Sequence, residues 1–139
     1  MLDFAGDASM CVWDAERPSE DLRRRAVQAA LDLVRELDQF ADARGLDGHP
    51  TRVGLAEGEI VLGNLAGGPN FTYGAVGEPL NVAARLEQLN KQHGTRIMAT
   101  GSLVRGRDDL AVRPLGELVL RGRAVSEEVV AVEAATANG

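Results

Sequence analysis

Lysine is nearly absent from this 139-residue chain: Lys91 is the only one, and every other basic side chain is arginine apart from two histidines. Cysteine is as scarce. Cys11 stands alone, so no disulfide can form within the chain, which is compatible with a reducing compartment. Aromatic residues make up only 4%, so a core must be built mainly from Leu, Val and Ala. There is no apolar run of about 18 residues, the length a membrane-spanning helix needs. Met1-Leu2-Asp3-Phe4 lacks the basic start and apolar stretch of a signal peptide. Positive charge is in deficit: 15 Lys and Arg against 21 Asp and Glu leave a net charge of −6. That balance argues against a nucleic-acid surface and demands local positive charge or metal at any nucleotide site. The expectation is a cytoplasmic domain, or the cytoplasmic domain of a larger membrane-bound protein.

What is present is ordinary for one globular domain: 45% hydrophobic and 26% charged residues. Leu2 to Trp13 reads as a β-hairpin turning at Gly6-Asp7, with Trp13 as packing. Ser19 is placed to cap a helix whose first turn holds Glu20 and Asp21. Leu22, Ala26, Ala29, Leu33, Leu37 and Phe40 recur at helical spacing, and the helix ends near Gly45. Arg23-Arg24-Arg25 reads as its solvated face, with a phosphate patch as the lesser alternative. Residues 51–55, 59–62, 71–76, 96–100, 111–120 and 126–133 read as strands, 78–93 as a second helix, and 101–105 as a helical turn. Residues 1–133 form the domain and 134–139 a frayed tail. Strands alternating with two helices predict an α+β fold, mostly antiparallel, with helices on one face. His49, His93 and Cys11 have no metal-ligand spacing, and Gly67-Gly68 lacks the G-K-[ST] of a phosphate loop.

The most specific stretch is Gly77-Glu78-Pro79-Leu80-Asn81-Val82-Ala83-Ala84-Arg85-Leu86-Glu87. It reads as a glycine turn entering a helix, with Pro79 in the first turn, where a missing N–H costs nothing. Asn81 and Arg85 are four apart and share a helix face. An amide and a guanidinium fork aimed together suit an anionic phosphate in reaction; the bland alternative is a polar stripe with Gln88 and Gln92. With Tyr73 ahead of it, this stretch resembles the class III nucleotidyl cyclases, the adenylyl and guanylyl cyclase family, whose pattern is roughly Y-T-x-x-G-D-x-V-N-x-A-x-R-L-E. Three further blocks match in order. Phe4-Ala5-Gly6-Asp7 resembles the F-x-G-D hairpin. Arg52-Val53-Gly54-Leu55-Ala56-Glu57-Gly58 with Gly63-Asn64 resembles the R-x-G-I-x-x-G…G-N run. Arg113-Pro114-Leu115-Gly116 with Leu120-Arg121-Gly122-Arg123 resembles the closing strand pair.

The resemblance implies a ferredoxin-like core and a reaction in which the ribose 3′-hydroxyl attacks the α-phosphate of ATP or GTP and expels pyrophosphate. It implies two Mg²⁺ or Mn²⁺ ions held by two aspartates, and a site shared between two subunits of a homodimer or with a cyclase-like partner chain. Asp7 matches one metal aspartate, although Gly-Asp is also ordinary turn chemistry. Asn81 would orient the ribose and Arg85 would stabilise charge on the α-phosphate. Arg121 and Arg123 fall where the family has a triphosphate-binding lysine, and arginine keeps the charge. Glu78 stands in for the usual aspartate. The base-reading positions depart from the pattern. Asp3 replaces a lysine or glutamate, and Gly74 offers no side chain, so purine selectivity should relax; a cyclic AMP product is favoured over cyclic GMP. In the family a strand and two helices, carrying the first metal aspartate, precede the hairpin at which this chain begins. The expectation is therefore an N-terminally truncated domain, inactive by itself. The alternative is a catalytically degenerate cyclase-homology domain acting as a dimerisation or nucleotide-binding regulatory module.

Overall fold

The computed structural model describes residues 2–5, 8–13, 17, 19–45, 50–64, 73–119 and 126–134. Strand β1 (Leu2–Ala5) pairs antiparallel with β2 (Ala8–Cys11), and the partners Ala5 and Ala8 close the hairpin. Helix α1 runs Glu20–Ala43, and β3 follows at Val53–Leu55. Strands β4 (Val61–Asn64) and β5 (Tyr73–Val76) form a second antiparallel hairpin. Then come helix α2 (Glu78–His93), β6 (Ile97–Thr100), a 3₁₀ turn (Gly101–Val104), β7 (Leu110–Val119) and β8 (Ser126–Ala134).

The helix ends obey local chemistry. Ser19 Oγ accepts the Leu22 N–H at 3.3 Å, and Glu20 and Asp21 occupy the first turn of α1, where the helix dipole favours them. α2 opens after Gly77 with Pro79 in its first turn and ends at Gly94, a left-handed residue (φ 66°) whose N–H returns to the Asn90 carbonyl.

The central sheet has the order β3-β6-β8-β7, with β3 parallel to β6 and the other two pairings antiparallel. It is an α+β fold, as the sequence predicts, but the helices do not share a face. Strand side chains alternate between faces. Ile97, Ala99, Val130 and Val132 pack with Leu55 and with Val27 and Ala30 of α1. Their neighbours Met98 and Val129 pack with Val82 and Leu86 of α2 and with Leu118. The sheet is thus sandwiched between α1 and α2. The strand bounds shift slightly from expectation: β4 starts at Val61, and β8 continues to Ala134 opposite Leu110. Pro114 sits on the edge strand β7 beside a register shift before Gly116, a position where a missing ladder donor is tolerated.

α1 also corrects the sequence reading in detail. The predicted stripe ran through Leu22 to Phe40, yet the residues turned into the core are Val27 and Ala30, flanked by Leu31 and Val34. Leu33, Leu37 and Phe40 remain exposed, and the Arg44 guanidinium stacks 3.8 Å over the Phe40 ring. Helix α1 carries two apolar stripes, and the sheet takes one of them.

A bidentate clamp joins α1 to the sheet. Arg96 donates from Nη1 and Nη2 to the Asp38 carboxylate at 3.0 and 2.7 Å, and from Nε to the Thr51 carbonyl at 2.7 Å. The hydrogen bond from Arg96 holds the Asp38 carboxyl below its ordinary range. A folded-state value below the unfolded one stabilises the fold above the unfolded value of about 3.9, and the benefit disappears as pH falls through the folded value. Asp38 is 44% exposed, so screening keeps the effect small. Asp38→Asn should cost at most about 1 kcal/mol at neutral pH. In urea melts against the parent chain, the difference should begin to shrink as pH falls below about 4 and vanish only below the folded value; a gap that does not shrink as the carboxyl protonates would mean the clamp does not act through the carboxylate charge.

Candidate active site

Helix α2 is seated against the sheet by two contacts. The first is Gly54 of β3. A Cβ at this position would run into the Ala83 carbonyl oxygen and would lie 2.6 Å from the Glu87 nitrogen. Only a bare Cα lets the helix backbone approach the strand this closely. The second is Asn90, which has no exposed surface. Its Nδ2 donates to the carbonyls of Val53 at 3.0 Å, Leu86 at 3.2 Å and Glu87 at 3.3 Å, and its Oδ1 accepts from Thr95 Oγ1 at 2.7 Å. A buried amide satisfied on both ends pins the helix along its axis. Asn90 and Thr95 were not singled out from the sequence. The signal was there: Val82, Leu86 and Asn90 are spaced by four, so the asparagine lies in line with the buried stripe.

With Val82, Leu86 and Asn90 facing the sheet, Asn81 and Arg85 fall on the opposite, exposed face, together with Gln88 and Gln92. The predicted pairing of amide and guanidinium on one face is present. Gly74 lies in β5 opposite Gly63, three residues before the α2 turn. Asp3 lies in β1 opposite Met10. Among the described residues, the hairpin β1–β2 pairs with neither of the other sheets. Asp7, Arg121, Arg123 and His49 lie outside the described residues. Among the described residues, then, Asn81 and Arg85 come together, and no paired strand joins Asp3 to them.

The start of α2 also borders a cavity of about 410 Å³ lined by Ala56, Gly58, Pro79, Val82 and four carboxylates: Glu57, Glu59, Glu78 and Glu127. Only Glu78 of these was marked from the sequence; the others come from the loop after β3 and from β8, which the fold gathers. Glu57 is tied off by Arg23, whose Nε lies 2.6 Å from Glu57 Oε2. Among the described residues, no three His, Cys, Asp or Glu side chains gather where they would hold one metal ion. The described residues therefore do not by themselves build the metal site that the resemblance implies. No described helix is long and apolar enough to cross a membrane.

Comparison with known proteins gives a consistent result. The family profile described as Adenylate and Guanylate cyclase catalytic domain matches residues 2–133. Adenylate cyclase 1 of Rhizobium meliloti (strain 1021) is 33% identical over 138 residues, covering 95% of this chain and 20% of that protein. An adenylate cyclase of Mycobacterium bovis (strain ATCC BAA-935 / AF2122/97) is 33% identical over 124 residues, covering 89% of this chain and 27% of that protein. The chain thus spans about a fifth to a quarter of the length of these curated relatives. In three dimensions the chain is similar to the crystal structure of the guanylyl cyclase Cya2, with a TM-score of 0.71, 22% identity and coverage of 99% and 72% of the two chains. A bacterial light-regulated adenylyl cyclase superposes with a TM-score of 0.68 at 22% identity, covering 94% of this chain and 38% of the other. At that identity the solved structures speak to the fold alone.

Proposed function

The chain belongs to the adenylate and guanylate cyclase catalytic domain family, and from that premise we propose that it supplies part of a site closing a purine nucleoside triphosphate into its cyclic 3′,5′-monophosphate. The observation that carries the reading is the exposed pair Asn81 and Arg85, four residues apart on a helix seated by Gly54 and Asn90. In the reaction, the ribose 3′-oxygen forms a bond to the α-phosphorus, the bond to the pyrophosphate oxygen breaks, and the hydroxyl proton leaves to solvent. Asn81 holds the ribose so that the 3′-oxygen points along the line of attack. Arg85 presents two parallel N–H donors to the α-phosphate oxygens, whose charge rises during transfer.

The remaining roles follow the family resemblance. Arg121 and Arg123 neutralise the triphosphate. Asp7 is one carboxylate for divalent Mg²⁺ or Mn²⁺, which when bound supplies activation of the ribose hydroxyl and charge neutralisation. Asp3 and Gly74 occupy the base-reading positions. ATP is the proposed substrate over GTP, in keeping with relatives described as adenylate cyclases. Asn81 and Arg85 lie on an open surface, so a second subunit is needed to close the site.

The test is cyclic nucleotide production by the chain, or by whatever longer protein carries it, with Mn²⁺ and either ATP or GTP. Arg85→Ala should lower kcat by about a hundredfold or more with little change in KM, the signature of an interaction made in the transition state. An unchanged rate would remove Arg85 from the reaction. A second reading, a degenerate cyclase-homology module that binds nucleotide or a partner without turnover, is favoured by the acidic surroundings of the α2 start and by Gly74. ATP binding with no cyclic product would select it.

A further inference from the structure

The basic run in α1 does not lie wholly on a solvated face. Arg25 does: it pairs with Asp21 at 3.0 Å, and both are exposed. Arg23 and Arg24 turn instead toward the 3₁₀ turn after β6. There, with Arg105 and Arg107, they line a cavity of about 210 Å³ whose other walls are Glu20, Ser102 and Leu103. Four arginines and one carboxylate line this cavity of a chain whose net charge is −6.

Two of the cations are balanced. Arg23 is bonded to Glu57, and Arg107 donates from Nε and Nη2 to Asp109 at 2.7 Å each. The hydrogen bond from Arg107 holds the Asp109 carboxyl down at about 2, so this pair stays charged across the physiological range. Two things are left over. Arg24 and Arg105 are exposed and form no salt bridge among the described residues, although Arg24 lies near enough to Asp109 to act on its carboxylate. The Arg107 side chain is only 7% exposed, and its Nη1 is buried with no hydrogen-bond partner. A buried guanidinium N–H without an acceptor is costly, and native structures seldom leave one unexplained.

We propose that this cavity binds a phosphate-class oxyanion, held by Arg24 and Arg105 at its rim and Arg107 in its wall. The chemistry fits a tetrahedral oxyanion, because guanidinium forks bond its oxygens in pairs and do so better than a point charge. The site lies on the α1 side of the sheet, across from the Asn81 and Arg85 face, and does not rest on the cyclase reading. Its ligand is either a free inorganic anion or the phosphate group of an organic ester.

Calorimetric titration of the whole chain decides it, with inorganic phosphate, pyrophosphate and a nucleoside monophosphate as probes and chloride held constant. Saturable binding is expected, weakening with added salt. Inorganic probes matching or exceeding the monophosphate assign a free anion; a tighter monophosphate assigns an ester. Arg24→Gln and Arg105→Gln, both exposed and so harmless to the fold, should each weaken inorganic phosphate binding about tenfold, while Arg35→Gln, an equal loss of charge elsewhere on α1, leaves it unchanged. No saturable heat up to about 10 mM phosphate, binding indifferent to both rim variants, or binding lost equally in Arg35→Gln would each overturn the proposal.

Discussion

Gly54→Val is expected to cost the chain about 3 kcal/mol or more, enough to consume much of the 5–15 kcal/mol by which domains are ordinarily stable. The added side chain would meet backbone, namely the Ala83 carbonyl and the Glu87 nitrogen, and backbone cannot rotate away as a side chain tip can. α2 would have to lift from β3, opening the cluster of Val82, Leu86, Met98, Leu118 and Val129. Urea melts followed by circular dichroism give the measurement. A midpoint close to that of the parent chain would show that α2 is not seated against Gly54. The exposed Leu37→Lys is the control, because it touches no core cluster and should change stability by under about 0.5 kcal/mol.

The second large effect is expected at Asn90. Asn90→Ala removes three donations and one acceptance in a site with no exposed surface. It leaves the Thr95 hydroxyl without that acceptor and a cavity beside Leu86, at a combined cost of about 3 kcal/mol. Asn90→Asp separates hydrogen bonding from volume. An aspartate there would be buried facing three carbonyl oxygens, which disfavours its charged form and raises its folded-state pKa. For a raised value the stability is fully present below the unfolded value of about 3.9 and is lost as pH rises through the folded one. Asn90→Asp should therefore approach the parent chain in acid and fall away from it toward neutral pH. A pH-independent deficit would mean that ionisation of the buried carboxyl does not carry the effect. If the cyclase reading holds, both substitutions should also lower activity through Asn81 and Arg85, because those side chains are aimed by the position of α2.

Much of this molecule was legible in the order of its residues. Ser19 with Glu20 and Asp21, and Gly77 with Pro79, mark the helix starts through contacts within one turn. Leu2–Ala5 and Ala8–Cys11, within the stretch read as a hairpin, pair as antiparallel strands. The four ordered motif blocks point to the family, and the four-residue spacing of Asn81 and Arg85 is enough to put both on one face of α2. Apart from the family resemblance, which rests on motif matches, each of these is a local matter, settled by the geometry of a few consecutive residues.

Other features were decided only when distant segments met. α1 has apolar residues on two stripes, and periodicity cannot say which one the sheet will cover; Val27 and Ala30 are chosen because Leu55, Ala99 and Val130 are there to receive them. Strand alternation allows helices on one face or both, and the placement of α2 across from α1 depends on the gap left by Gly54. The Arg96–Asp38 clamp joins residues 58 apart, and the arginine cavity joins the start of α1 to the turn after β6. Hydrogen-bonded turns and helix caps draw on near neighbours, so sequence determines them; volume, burial and charge pairing depend on what is brought alongside, so only the tertiary structure does.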